Sequence, residues 1–486
     1  MGELLTSLEP GQMIVVGGDQ VLRVDAELAA AFAPGDRLLV ADESLLHVPS
    51  HEFEVARSAI DSATAAFAEL SSCSDGQIDE FFTGFAQRLA DATIAAELIE
   101  ANRRDVEQAR QRGRSTTRLA LDQAMLADMI AGLEMWRDLP GSRDAVVSSV
   151  DHPGWAIEVR RAPLGVVGFV FEGRPNVFAD AAGVVRTGNC AVLRIGSDAL
   201  RTARAIVEHA LDPALAAAGL PGGTISLVDS AAHAAGWALF ADRRLSLAVA
   251  RGSGSAVAQL GSIARAAGVP ASLHGTGGAW MIVGPDAIES RLESVVRVSL
   301  DRKVCNTLNV CCVPRAAADR LLPAVLRGAS AAGHERGTTT VIHMDHEVEL
   351  FARQLGYADS VEVVSLGDTG LGTEWEWEDR PEFTLILVDD VAEAIDLCND
   401  HSSHFVVSVI SPNDDLVETV YRGVDAPFVG DGFTRWVDGQ YALGEPELGL
   451  SNWEHGRLLG RGGVLSGASV HTLRLRARFA SADIRR

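Results

Sequence analysis

Between about Glu54 and Leu139, apolar residues recur every three or four positions, in VARSAIDSATAAFAEL, IDEFFTGFAQRLADAT and IAAELIEANRRDVEQARQRG. Ala, Leu, Glu and Arg fill the remaining positions, and this period and composition predict helices. Residues 1–50 differ: the short apolar runs IVVGG, VLRV and RLLVAD are separated by the turn formers GGDQ and PGD. They predict a small β-rich extension. AVVSSVDHPGWAIEVRRAP (145–163) reads as strand-rich, and alternating units follow it. GVVGFVF, CAVLRI, TISLV and LSLAVA are buried-strand runs, each followed by a helical stretch. Strands alternating with helices predict a parallel sheet with helices on both faces, which binds ligands at the carboxyl ends of its strands. A second α/β segment runs from about Gly275 to Arg435. In HTLRLRARF (471–479) Leu473, Leu475, Ala477 and Phe479 alternate with arginines, the pattern of a half-buried strand that would pair with the piece near 150.

Length and charge narrow the function. A chain of 486 residues exceeds one compact core, so two or three domains are expected. Its net charge of −24, spread along the chain, disfavours nucleic acid and anionic membranes as partners. No run of ~18 consecutive apolar residues suggests a membrane span. The opening MGELLTSLEPGQ lacks the basic and apolar regions of a signal peptide. Six scattered cysteines suit reduced thiols, and the expected location is cytoplasmic.

Four stretches hold candidate chemistry. FEGRPN ends the first parallel strand with Arg174, Pro175 and Asn176, where a side-chain amide would serve a developing oxyanion or simply cap a helix. LRIGSDA places Arg194, Gly196 and Ser197 at the next strand end, facing a cofactor ribose or phosphate, or solvent. ARGSGSAVAQL sets Gly252, Ser253, Gly254 and Ser255 between a strand and a helix, as a diphosphate loop or a plain turn. DRKVCNTLNVCC holds Cys305, Cys311 and Cys312 without the paired spacing of a metal site, so no metal is expected. NVCCVP reads as a strand in which Cys311 and Cys312 pack. Cys305 differs, because Arg302 and Lys303 precede it and a helix start there would favour its thiolate. By its residues alone it stays open between packing and catalysis.

Taken in order, these blocks resemble the γ-glutamyl phosphate reductase (glutamate-5-semialdehyde dehydrogenase) family of the aldehyde dehydrogenase superfamily. RAPLGVVGFVFEGRPNVFADAAGVVRTGNCAVLRIGSDA, VCNTL, AIDLCNDHSSHFVVSVIS and TRWVDG…ELGLS carry the resemblance over about 54–479. It implies an aldehyde dehydrogenase-like α/β fold with two parallel-sheet domains, a small antiparallel oligomerisation flap and the short N-terminal extension. The expected boundaries are 1–50 for the extension, 51–144 with 163–270 for the dinucleotide-binding domain, and 271–435 for the catalytic domain. The flap and C-terminal segment take 145–162 and 436–486.

The resemblance further implies NADPH, with NADH as the alternative, and reduction of an acyl phosphate to an aldehyde through a cysteine thioester. Cys305 becomes the nucleophile and Asn176 an oxyanion donor, with a backbone N–H near Cys305 as the other. Arg194, Gly196, Ser197 and 252–255 become cofactor contacts, and Arg174, Asn306 and Arg435 substrate contacts. The superfamily's ribose-binding glutamate has no clear register among Glu374, Glu376, Glu378 and Glu382. Alternatives are reduction of an acyl-CoA or carrier-bound thioester, and an inactive scaffold subunit. Expected partners are the small acyl substrate, a kinase or carrier protein, and further copies of the chain as a homodimer or larger.

The loop LHGTGGAW (273–280) lacks the glutamate with which oxidative relatives activate water, which favours hydride transfer over hydrolysis. The chain departs from the family's pattern at LDRKVCN, at FEGRPN, at Trp280 where histidine is usual, and at Asp431 where asparagine is usual. These departures are expected to cluster at the substrate pocket and to change the acyl group accepted.

Overall fold

The computed structural model describes residues 4–41, 43–114, 116, 118–275, 277–354, 361–367, 370–437, 442–444, 447–450, 453–454, 457–458 and 464–484. It divides into two compact units, Met1–Gly275 with Glu445–Leu450 and Val464–Arg486, and Thr276–Gly444 with Ser451–Gly463.

In the first unit the helical period becomes four helices, Ser50–Leu70, Asp75–Ala90, Ala92–Gln111 and Gln123–Asp138. Their ends are set by local chemistry. Ser74 and Gln77 form a reciprocal capping box, and Asp91 and Asp122 accept from first-turn N–H groups. Ile60, Ile78, Phe81, Phe82 and Phe85 are fully buried on their inner faces.

The parallel sheet runs in the order Ala271–His274, Leu245–Arg251, Val166–Phe171, Cys190–Ile195, Ile225–Leu227. Every residue of Val166–Phe171 and Cys190–Ile195 is buried, as unbroken apolar runs require. Register aligns the strand ends, with Phe171 opposite both Ile195 and Arg251. Three strands therefore end level, and the 172–176, 196–197 and 252–255 segments emerge at one edge.

The extension contains two hairpins, Met13–Gly17 with Gln20–Arg23 and Arg37–Ala41 with Ser44–Val48. A short helix that the apolar pattern did not announce, Ala26–Ala31, begins where the Asp25 side chain accepts from Leu28 N–H. Leu46 and Val48 join the main core of this unit. The strand His471–Phe479 pairs antiparallel with Trp155–Pro163, which pairs with Val146–His152. The alternation in 471–479 is not matched by burial within the chain, because Leu473, Leu475 and Phe479 are exposed.

The second unit carries a seven-stranded sheet in the order Glu362–Ser365, Val341–Met344, Glu382–Val388, Leu308–Pro314, Ala279–Val283, Val406–Ile410, Phe428–Gly430, with every pairing parallel. Cys311 and Cys312 lie in its central strand and, as neighbours in a strand, face opposite cores. Both are fully buried.

Candidate active site

At the strand-end edge of the first unit, two features suit a dinucleotide. A Cβ on Gly196 would meet Gly173 N at 2.7 Å, and Gly196 N–H donates to Phe171 O at 3.1 Å, so only glycine lets these strand ends come this close. The helix Gly254–Ala267 opens directly after its strand with no acid in its first turn, and the Ser253 hydroxyl makes no capping bond. Its first N–H groups and exposed Ser253 and Ser255 fit a diphosphate. Gly252 N–H is held by His274 O at 3.2 Å.

Arg194 is more enclosed than a solvent-facing reading required. It is 5% exposed, donates to Ala231 O at 3.1 Å, and leaves its Nε without a partner among the described residues. Burial pulls its guanidinium below the ordinary range, opposed by Glu52.

Asn176 does not spend its side chain on the helix it precedes. Val177–Ala182 starts without a side-chain cap, and Asn176 Oδ1 is buried without a partner among the described residues. Arg174 lies 3.5 Å from Glu172. Asp180 is buried behind this corner. Desolvation pushes its carboxyl up to about 6, countered by Arg251 and then Arg174.

In the second unit Cys305 is not at a helix start. The helix Glu289–Ser299 has already ended, and Cys305 occupies a turn that feeds the strand Leu308–Pro314. The reason lies in the neighbours: Thr307 and the apolar run after it favour the strand, and the Thr307 hydroxyl closes the turn. It donates to Arg302 O at 2.7 Å and accepts from Val304 N–H at 2.9 Å. The thiol therefore does not sit at the start of a helix of its own segment. Lys303 does not present a bare positive charge to it either, because Glu374 lies 2.6 Å from its Nζ.

Cys305 is partly exposed, whereas Cys190, Cys311, Cys312 and Cys398 are buried. Against Cys305 runs the Gly277–Gly278 backbone: a Cβ on Gly277 would meet Cys305 O at 2.3 Å, and Gly278 N–H donates to Cys305 O at 2.6 Å. Gly278 also holds φ +97, open to glycine.

Asn306 is fully buried with neither side-chain polar atom partnered among the described residues. Arg435 is 9% exposed and ion-paired with Asp301. Two of the departures have definite surroundings. Trp280 is fully buried with Cys312 and Val407 in an apolar core, because its strand lies inside the sheet and is covered on both faces. Asp431 lies at the surface, 2.7 Å from Arg291. Asp438, Gly439 and Ser451 of the TRWVDG…ELGLS stretch, and Thr276 of the glycine loop, lie outside the described residues.

Of the four glutamates without a register, Glu374 reaches the Cys305 turn, Glu376 is 75% exposed, and Glu382 holds His343 at 2.6 Å. Sequence reasoning missed the Lys303–Glu374 contact, since 71 residues separate the partners. Among the described residues no group of three or more His, Cys, Asp or Glu would hold a metal. No described helix is long and apolar enough to cross a membrane.

A dinucleotide-type strand edge in one unit and a partly exposed, backbone-gripped cysteine in the other define a class. The aldehyde dehydrogenase family model matches residues 39–342, and the chain belongs to that family, whose oxidoreductases use NAD or NADP. Within it the chain is 30% identical over 421 residues to a gamma-glutamyl phosphate reductase of Brucella suis biovar 1 (strain 1330), covering 83% of this chain and 92% of the relative. The crystal structure of gamma-glutamyl phosphate reductase from Thermotoga maritima shares the fold with a TM-score of 0.77 at 23% identity, over 90% of this chain and 100% of that one. An engineered glycolyl-CoA reductase solved with bound NADP+ shares it at a TM-score of 0.60 and 16% identity, over 88% and 98% of the two chains.

Proposed function

We propose that the chain catalyses the NADPH-dependent reduction of γ-glutamyl phosphate, or a closely related acyl phosphate, to the aldehyde. The observation that carries this reading is Cys305, partly exposed in a turn fixed on both sides, in a chain 30% identical to a gamma-glutamyl phosphate reductase.

The Cys305 thiolate attacks the acyl carbon, a C–S bond forms, the C–O bond to phosphate breaks, and phosphate leaves. The Asn176 amide donates to the oxygen that gains charge during this step. When bound, the reduced nicotinamide supplies the hydride that converts the thioester into the aldehyde and returns the thiolate. Gly196 and the 252–255 loop, with Arg194 beneath them, hold the cofactor, and Arg174, Asn306 and Arg435 contact the substrate. The 273–280 loop carries no carboxylate of its own, and the Glu374 carboxylate that reaches it is engaged by Lys303 and by Gly277 N–H, which supports reduction over hydrolysis. The exposed apolar strand face supports a homodimer or larger. None of the six cysteines, all among the described residues, joins a disulfide, as a reducing compartment would keep them, which supports a cytoplasmic location.

A panel of acyl phosphates and acyl-CoA thioesters tests the reading, with loss of NADPH and release of phosphate followed together. Equal loss of NADPH and gain of phosphate with γ-glutamyl phosphate is expected. Turnover of thioesters alone would overturn it.

A further inference from the structure

Lys303 stands two residues before Cys305, and its side chain is 7% exposed. Burying that charge costs several kcal/mol unless a well-placed partner compensates it. Glu374 is the partner, 14% exposed, with Oε1 2.6 Å from Nζ. Its other oxygen accepts from Gly277 N–H at 2.6 Å. Gly277 and Gly278 are the residues that lie on the Cys305 backbone. One carboxylate thus ties the segment before the cysteine to the loop packed on the cysteine.

Glu374 is itself held from both sides. The Asn309 amide donates to Thr373 O at 2.8 Å and accepts from Trp375 N–H at 3.0 Å, bracketing residue 374. The Trp375 indole donates to Thr384 Oγ1 at 2.8 Å and stacks on His343 with ring centroids 3.5 Å apart. An apolar pair of similar volume would be about as stable as a buried ion pair, so stability alone does not account for the charges.

We propose that Lys303 and Glu374 form a charge-neutral clamp that positions the Cys305 turn against Gly277–Gly278 and balances the electrostatic field at the thiol. The inference rests on reading Cys305 as the nucleophile. Both are positioning residues, and neither forms a bond to substrate. Neutrality is the consequential property: removing either partner leaves the opposite charge beside the turn. The other charges here are the Asp301–Arg435 pair, the exposed Arg302, and Glu376 at 3.7 Å from Lys303, whose exposure screens it. They are the same in every variant of the test.

The test is the pH profile of Cys305 alkylation by iodoacetamide, read on the Cys305 peptide by mass spectrometry, in wild type, E374Q, K303M, K303R and K303M/E374Q. E374Q leaves a bare cation, so its midpoint is expected to fall by about half a pH unit or more, and K303M to rise by a similar amount. K303R should stay near wild type, and the double variant should return toward it. Each single variant should lose roughly tenfold in kcat, with KM for the acyl phosphate within about threefold. Midpoints that do not move, or that move in the same direction in both single variants, overturn the clamp. Should K303M not fold, E374Q decides alone, and a midpoint that fails to fall overturns it. Turnover surviving in C305S would instead sink the nucleophile reading, a separate outcome.

Discussion

Desolvation sets four of the six thiols apart. Burial pushes the thiols of Cys190, Cys311 and Cys398 up to about 12 and that of Cys312 well above its usual range, so they stay protonated and pack. Cys305 sits outside those cores. Asp180 shows the same physics in a carboxyl, because burial disfavours its anion too. Its folded-state pKa, raised from 3.8 to about 6, means that the folded chain binds this proton more tightly than the unfolded one. The stability from that proton is fully present below about pH 4 and is lost as pH rises through about 6. Asp180→Asn carries no ionisable group, so its melting temperature should exceed that of wild type at pH 7.5, and the gap should shrink toward pH 4.5. Thermal melts across that range check this, and a gap independent of pH would contradict it. Individual residues were only partly legible in the sequence. Adjacent cysteines in an apolar run announced opposite-face packing. The burial of Arg194 and Trp280 depended on their strands being covered on both faces, and Lys303 gave no sign of its distant partner.

The three-stranded antiparallel sheet presents two chemically distinct faces. Register puts Leu473, Leu475 and Phe479 beside Arg161, Val159 and Trp155, and Val150 beside Ile157. Phe479 stacks on Trp155 at 5.3 Å, yet Leu475 remains 72% exposed. On the opposite face Arg476 pairs with Glu158 at 2.6 Å. The homodimer or larger assembly proposed above would use this apolar face as its contact. Leu475→Asp should weaken self-association roughly tenfold or more, since a charge there loses its solvation at the contact. Size-exclusion chromatography with light scattering reads the result, and an unchanged mass would contradict it. Elements were the most legible level of this chain. Periods of about 3.6 and unbroken apolar runs marked helices and parallel strands, because burial of a whole face imposes them. Short pieces escaped, as with Ala26–Ala31, where one Asp cap decides the matter. The turn at Cys305 escaped too, because polar DRK reads equally well as a helix start.

At the scale of the molecule, an excess of acids and an anionic substrate are reconciled locally. A net charge of −24 leaves general attraction for an acyl phosphate weak, and on the proposed reading recognition falls to a few arginines and to backbone N–H groups. The family was legible because its motifs are contiguous blocks at strand ends, where backbone geometry restricts the residues allowed. The acyl group was not, because departures such as Trp280, in an apolar core, and Asp431, in a surface ion pair, carry no chemistry that names a substrate. What unites the account is a covalent step on one sulfur. Mixing the enzyme with an acyl phosphate in the absence of nicotinamide cofactor, then measuring the intact mass after denaturation, tests that step directly. The predicted result is a gain of one acyl group per chain, mapped to the Cys305 peptide, released by hydroxylamine and absent in C305S. An acyl group on another residue, or no adduct from an enzyme that turns over normally, would contradict it.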